Sequence, residues 1–497
     1  MIVKSEQDEI AGFLRDASNM PGGAADRVCF PESAEEIAEL LAEASRSGTL
    51  VTVAGAGTGL SGARVPFGGT VLSTARMNRI VSIDEHAMRA EVEPGVLLGE
   101  LQSEVEHLGL LYPPDPTERT CSIGGTIATN ASGARTFRYG ATRAFIEELD
   151  IVLATGERLS LSRGQFTAVR NNLVLGTVEG RSIELALPGY TMPAVKHAAG
   201  YHAAPGMDAI DLFIGSEGTL GVVTRAVLRL IPLPERIVSG VVFFGDEHST
   251  IAFVEEARAR SLATRAGTQG TGAQGIDARA LEFIDGAALR FIADRYPTIP
   301  SAATGGAIWF EQEVNAASEE HLLEEWYEML LRHRALVDVS WFAAGTEDQR
   351  RLREFRHAVP SAVYEYISEH GQTKLGTDMA VPDGDLPGLL EFYRQEFESA
   401  GVRHITYGHI GNSHLHANMF VSGASETARA KELYGRLVER ALALGGTISA
   451  EHGVGKLKPR WLEKMYGAEA IRAMRQVKQT LDPASILGAG TMIPAEE

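Results

Sequence analysis

Apolar residues return every three or four positions at Ile37, Leu40, Leu41 and Ala44, which predicts an amphipathic helix. Ser33 and Glu36 stand where a capping box would open it, and Gly48 where it would stop. Leu50 to Val53 then reads as a strand. Further strands are predicted at Thr70 to Ser73 and Leu149 to Ala154, with Ile80 to Ile83 and Arg89 to Glu93 forming a hairpin about Asp84-Glu85-His86. A helix is expected from Val96 to about Leu108. Pro232 and Pro234 mark a boundary, beyond which strands such as Ile237 to Phe244 alternate with long helical stretches at His321 to His333 and Ala428 to Leu444. A last amphipathic helix covers Ala468 to Leu481, and Ala266 to Gly275, rich in Gly, Thr and Gln, reads as a loop.

With 497 residues, 44% hydrophobic and 22% charged, the chain has the make-up of a soluble globular protein of two to four domains. Its net charge of −19 argues against nucleic acid or anionic lipid as the main partner. Only Cys29 and Cys121 occur, which excludes a disulfide framework, a four-cysteine zinc site and an iron–sulfur cluster held by this chain alone. The N-terminus lacks an apolar core of signal-peptide length, and no apolar run approaches a membrane helix, so a cytoplasmic location is expected.

The 53 glycines change the picture through their clustering. Gly57-Thr58-Gly59-Leu60-Ser61-Gly62 is a literal G-x-G-x-x-G after a strand, but Ala63-Arg64-Val65-Pro66-Phe67-Gly68-Gly69 is a poor helix start, so the dinucleotide-binding fingerprint fails on context. A glycine-rich loop between strands can still cradle a pyrophosphate with backbone amides. One such loop leaves cradle and plain turns evenly matched. Three, at about 55–62, 124–133 and 215–221, favour a large phosphate-containing cofactor gripped from several sides.

Histidines concentrate in His409-Ile410-Gly411-Asn412-Ser413-His414-Leu415-His416. On a strand from 414 to 419, His414, His416 and Asn418 would share one face. Glu451 and His452 add a carboxylate and an imidazole. Two histidines and a carboxylate with open positions suit a divalent metal, although satisfied or surface histidines are the better reading of the bare cluster.

Taken together, GAGTGLSG at 55–62, YPPDPT at 112–117, SIGGTIATNASGAR at 122–135, LFIGSEGTLGVVT at 212–224, GHIG at 408–411 and EHGVGK at 451–456 resemble the FAD-linked oxidase family with a vanillyl-alcohol-oxidase-type flavin domain. Within it the likeness is to flavin-linked D-lactate dehydrogenases, glycolate oxidase flavoprotein subunits and D-2-hydroxyglutarate dehydrogenases, over about residues 26 to 494. The resemblance implies an α+β fold: a two-lobed FAD-binding domain over 1–235, a cap of antiparallel sheet with flanking helices over 236–448, and a segment, 449–497, returning to the FAD domain. It implies non-covalent FAD contacted by Gly55, Ala56, Gly57, Thr58, Gly59, Pro114, Cys121, Gly124, Gly125, Thr129, Ala131, Glu217, Gly221 and Val223. It assigns His409, His416 and Glu451 to a divalent metal, zinc or manganese. His414 is an imidazole extra to the family pattern, either a further ligand or a neighbour of the ligands. His452 resembles the catalytic base and Arg356 the residue that helps bind the substrate carboxylate. The implied reaction is oxidation of a small D-2-hydroxy acid, D-lactate or glycolate-like, to the 2-oxo acid, by proton removal to His452 and hydride transfer to flavin N5. The electron acceptor would be a quinone, a cytochrome, an electron-transfer flavoprotein, oxygen or a partner subunit. Neither nucleic acid nor an integral membrane segment is implied, and peripheral membrane contact is left open.

Besides His414, the chain departs from the family pattern in three places. Ala54 stands where an Arg often precedes the first glycine. Gly488-Ala489-Gly490-Thr491 replaces N-P-G-K. Relatives that bind a dicarboxylate have a Lys two residues before an Asp; here Gly376 precedes Asp378 and Lys374 is displaced by two, which weighs against a second carboxylate clamp. Competing functions on the same flavin fold are a carbohydrate or aldonolactone oxidase, a non-redox ether-lipid synthase and a non-catalytic flavin subunit. The joint presence of His409, His416, Glu451, His452 and Arg356 weighs against all three.

Overall fold

The computed structural model describes residues 1–267, 275–343 and 345–494. Most of the Gly/Thr/Gln-rich stretch, residues 268–274, lies outside the described residues.

The N-terminal half carries two larger sheets, beside the two-stranded pairs Asn172–Gly176 with Ser182–Ala186 and Leu110–Leu111 with Ile231–Pro232. In the first, Ile2–Lys4, Arg27–Phe30, Thr70–Ser73 and Val51–Ala54 lie side by side, the last three parallel and the first antiparallel. Helix Ala34–Ser47 buries Ile37, Leu40, Leu41 and Ala44 in a core shared with Val51 and Leu72. The Ser33 hydroxyl accepts the Glu36 amide, while the Glu36 carboxylate accepts the amide of Glu32, one residue earlier than a standard box. Gly48 ends the helix in the left-handed conformation. The second sheet is antiparallel throughout, in the order Ile80–Asp84, Arg89–Val92, Val222–Arg229, Ile146–Val152, Arg158–Ser162.

One expectation is corrected here. The second glycine-rich region, read as a loop, contains the helix Ile123–Thr129, capped by the Ser122 hydroxyl, which accepts the Gly125 amide at 3.3 Å. Glycine disfavours a helix by about 1 kcal/mol, so local preference points the wrong way. Packing decides it: a Cβ on Gly124 would lie 2.7 Å from the Pro94 ring, so a side chain there is excluded.

The second half is built on eight antiparallel strands. Seven run Trp341–Phe342, Arg236–Phe244, Gly306–Val314, Ala278–Ile284, His404–Gly408, His414–Val421, Thr373–Gly376, and Met379–Ala380 pairs with His414–Val421 as well. Strand alternation divides their side chains between two cores. Phe244, Ile308 and Phe310 pack with Phe253 and Trp326 of the helices Glu247–Gly267 and Glu319–Arg332. Phe243, Ala307 and Trp309 pack with Phe355, Val359 and Val363 of the helix Thr346–His370. The other predicted helices occupy Leu98–His107, Gly423–Ala443 and Ala468–Leu481. The tail then reaches the first sheet, where the Val51 amide donates to the Ile486 carbonyl and the Gly488 amide to that of Val51.

Candidate functional site

A cleft of about 1310 Å³ brings these parts together. It exceeds the roughly 300–1,000 Å³ of a site for one drug-sized ligand, leaving room for a cofactor and a substrate. Gly55, Ala56, Gly57, Thr58 and Gly59 line it from the turn after strand Val51–Ala54. Cys121, Gly124, Gly125, Thr129 and Ala131 line it from the short helix and its flanks, and Glu217, Gly221 and Val223 from the start of strand Val222–Arg229. Pro114 stands apart: it is buried off the cleft, its carbonyl accepting from Gln102, and Pro116 lines the cleft instead.

The first glycine turn meets the helix cap closely, for a Cβ on Gly55 would fall 2.6 Å from the Ser122 hydroxyl. Arg64 lies against Gly57, and its buried Nε has no partner. The sequence reading noted the missing arginine at Ala54 and overlooked this one, ten residues later. Backbone amides together with a guanidinium whose Nε is unpartnered, its Nη1 donating to the Arg15 carbonyl, suit the pyrophosphate of FAD, so these residues fit that cofactor.

The histidine cluster lies on the same cleft. In strand His414–Val421, Leu415, Ala417 and Met419 enter the core, while His414, His416 and Asn418 take the other face. A short turn, Ile410–Asn412, folds back so that the His409 carbonyl accepts the amides of Asn412 and His414. Each of three imidazoles then commits one N–H. His409 Nδ1 donates to Glu282 at 2.7 Å, His414 Nε2 to Asp378 at 3.1 Å, and His416 Nδ1 to the Thr377 carbonyl at 3.1 Å. The opposite nitrogens converge. His409 Nε2 and His416 Nε2 are 3.1 and 3.9 Å from Glu451 Oε2, and His414 Nδ1 is buried with no partner. Ligand atoms of His409, His414, His416 and Glu451 all lie within 4.8 Å of one another. Imidazoles oriented by acceptors on their far side are the usual surroundings of a metal, and an orphaned ring nitrogen is one that a cation would satisfy. The residues therefore fit a divalent ion.

Glu451 also accepts from the Ser132 hydroxyl and from Lys196, which is buried. Burial alone would depress His409, but Glu282 and Glu451 outweigh it and raise its pKa. Burial likewise opposes ionisation of Glu282, yet His409 and Arg356 hold it down to about 2. Arg356 is 8% exposed at its side chain; it donates through Nε to Glu282 and through Nη1 to His357, and it lines the cleft. Its neighbour Arg350 is exposed and pairs with Glu347 and Glu354.

Asp378 binds this set to His452. It is completely buried, and it accepts from His414, Ser449, the Lys458 ammonium and the backbone amides of Glu451 and His452. His452 stacks on His416 with ring centres 5.1 Å apart and lines the cleft. Its Nδ1 lies 3.5 Å from Asp378, leaving Nε2 on the far side of the ring. Burial lowers its pKa against the opposing pull of Asp378, so the ring is neutral near pH 7.

Glu217 borders the cleft, and its carboxylate accepts the amides of Val454 and Gly455 at 2.7 and 2.8 Å, tying the returning segment to the N-terminal half. Burial raises its pKa from 4.5 to about 7. The folded protein therefore holds a proton that the unfolded chain releases, and this contribution is full below pH 4.5 and lost as pH rises through 7. By linkage it amounts to about 3 kcal/mol. Glu217→Gln should flatten the fall in unfolding midpoint between pH 4.5 and 7.5; a variant with the wild-type slope would refute the assignment.

Comparison with known proteins agrees with this construction. The FAD binding domain family matches residues 25–162, and the family of FAD linked oxidases, C-terminal domain, matches 233–492. Glycolate oxidase subunit GlcD of Bacillus subtilis is 30% identical over 485 residues, 97% of this chain and 91% of that one. A D-lactate dehydrogenase of Anaerostipes hadrus is 29% identical, covering 97% and 93%. In fold the chain is similar to alkyldihydroxyacetonephosphate synthase, with a TM-score of 0.70 at 16% identity over 99% of this chain and 82% of that one. Among the described residues no helix is long and apolar enough to cross a membrane.

Proposed function

The chain belongs to the FAD-linked oxidase family, with the vanillyl-alcohol-oxidase-type fold, and from that membership we propose that it is an FAD-dependent dehydrogenase of D-2-hydroxy acids, assisted by a divalent metal. One observation supports this most: three imidazoles turn their free nitrogens towards Glu451 beside His452, on the same cleft as the glycine turns.

Bound FAD would supply the two-electron redox chemistry, and a bound divalent ion, zinc or manganese, a Lewis acid. His409, His414, His416 and Glu451 would hold the ion. Arg356 would bind the substrate carboxylate; Glu282 and His357 fix its Nε and Nη1, and Nη2 has no protein partner among the described residues. His452 Nε2 would take the hydroxyl proton, with Asp378 holding the ring through its backbone amide and facing Nδ1. Two cysteines are too few to hold an iron–sulfur cluster, so electrons would leave the flavin to an external acceptor: a quinone, a cytochrome, an electron-transfer flavoprotein or a partner subunit.

Anaerobic mixing of metal-replete holoenzyme with D- and L-2-hydroxy acids tests the reaction. Bleaching of the oxidised flavin by D acids alone is expected; failure of every acid to bleach it would defeat the reading. Metal analysis tests the ligands. About one divalent ion per chain is expected, absent from His409→Ala and Glu451→Gln and held roughly 10- to 100-fold more weakly by His414→Ala. A full complement in all three variants would remove the metal site.

A further inference from the structure

Exposed large apolar side chains gather in one short stretch of the second half. Of nineteen such residues among those described, five fall between 323 and 342: Leu323, Tyr327, Leu331, Val339 and Phe342. None of the five lines the cleft. Single exposed apolar residues are ordinary, but a contiguous patch on a soluble protein marks a contact surface.

Helix Glu319–Arg332 turns Leu322, Trp326, Met329 and Leu330 into the core. One flank is closed by helix Glu247–Gly267, through Glu325 with Arg260 and Arg332 with Glu256. The other flank carries Leu323, Tyr327 and Leu331 at i, i+4 spacing, so they form one stripe along about 12 Å of the axis. The three are 43, 52 and 53% exposed. The sheet edge adds Phe342. It belongs to strand Trp341–Phe342, the outermost of the sheet on that side. A Cβ on Gly240, opposite it, would lie 2.9 Å from Phe310 and 3.0 Å from Phe342. Phe310 stacks on Trp326 of the helix, so the stripe and Phe342 lie on the same side of the sheet.

The stripe is symmetric about Tyr327. Leu323 and Leu331 stand four residues before and after it, and Glu320 and Arg334 seven before and after. Both charged residues are exposed, and neither makes a hydrogen bond or ion pair among the described residues. Against an identical stripe running the opposite way, Tyr327 meets its own copy, Leu323 meets Leu331, and Glu320 meets Arg334, the last two contacts each made twice. Antiparallel helix dipoles add to the attraction. Two chains of net charge −19 repel each other overall, so only a locally complementary face can bring them together. The acidic row Glu320, Glu324 and Glu328 beside the stripe repels an anionic lipid surface. We propose that this face is the two-fold interface of a homodimer, with Tyr327 on the axis. The proposal stands independently of the hydroxy-acid reading.

One helix and one strand edge offer a contact at the low end of specific interfaces, so dissociation in the micromolar range is expected. Sedimentation velocity of the FAD-loaded protein from about 1 to 200 µM should show a reversible monomer–dimer equilibrium. Tyr327→Glu, which sets two carboxylates together on the axis, should leave a monomer throughout. Glu320→Arg and Arg334→Glu should each weaken the dimer by about tenfold or more, because each sets like charges opposite one another. Combining the two reversals restores the pairing and should bring the affinity back to within about threefold of the wild type. All these positions are exposed and away from the cleft, so flavin absorbance and thermal midpoint should be unchanged, which separates a lost contact from a lost fold. A wild type that sediments as a monomer throughout this range, a dimer that survives Tyr327→Glu, or a double variant no tighter than either single one would overturn the proposal.

Discussion

Replacing His452 with alanine should slow flavin reduction by a D-2-hydroxy acid by about 10²- to 10⁴-fold, the usual range for a positioned general base, with FAD still bound. The glycine turns and Arg64 are built without His452, so visible absorbance of the purified variant should match the wild type. The backbone amide of His452, which Asp378 accepts, survives the substitution, so the fold of the segment should hold. Stopped-flow reduction under anaerobic conditions measures the effect. A variant reduced within threefold of the wild-type rate would take His452 out of the proton-transfer role.

The second large effect is expected at Asp378. Truncation to alanine would strand five donors at once: His414 Nε2, the Ser449 hydroxyl, the Lys458 ammonium and the amides of Glu451 and His452. Losing one partner of a buried ion pair costs about 3–5 kcal/mol by itself. Asp378→Ala should therefore accumulate poorly as soluble protein. Asp378→Asn is the informative variant, since it keeps one acceptor oxygen while setting an amide against donors. It should lower the thermal midpoint and the metal content together, because His414 and Glu451 are both held through Asp378. Wild-type midpoint and metal content in Asp378→Asn would show that the hub organises nothing.

What could be read in the sequence was whatever lay close together along it. His409, His414 and His416 occupy one turn and one strand, so their spacing announced a cluster, and period-two alternation placed His414, His416 and Asn418 on one face. The groups around them come from elsewhere: Glu282 from a neighbouring strand, Asp378 from just beyond another, and Glu451 with its own donors Ser132 and Lys196 from the N-terminal half. No local spacing marks such groups. Asp378 was visible only as a landmark beside Gly376, and its role as a five-fold acceptor depends on the antiparallel register that sets Met379–Ala380 against His414–Val421. The helix at Ile123–Thr129 was missed for a related reason, because the contact with Pro94 that demands glycine comes from a separate segment.

The order of the parts along the chain sets a timetable for synthesis. The cofactor turns, the three histidines and Arg356 all emerge from the ribosome before Glu451, His452 and Lys458, and the Ile486 carbonyl that Val51 binds comes later still. A nascent chain can thus shape most of the cleft while lacking the proposed base His452, the proposed metal ligand Glu451 and one edge of its first sheet. Under the proposed function, the reaction would wait until translation is nearly complete, and chains ending before residue 451 would lack both Glu451 and His452.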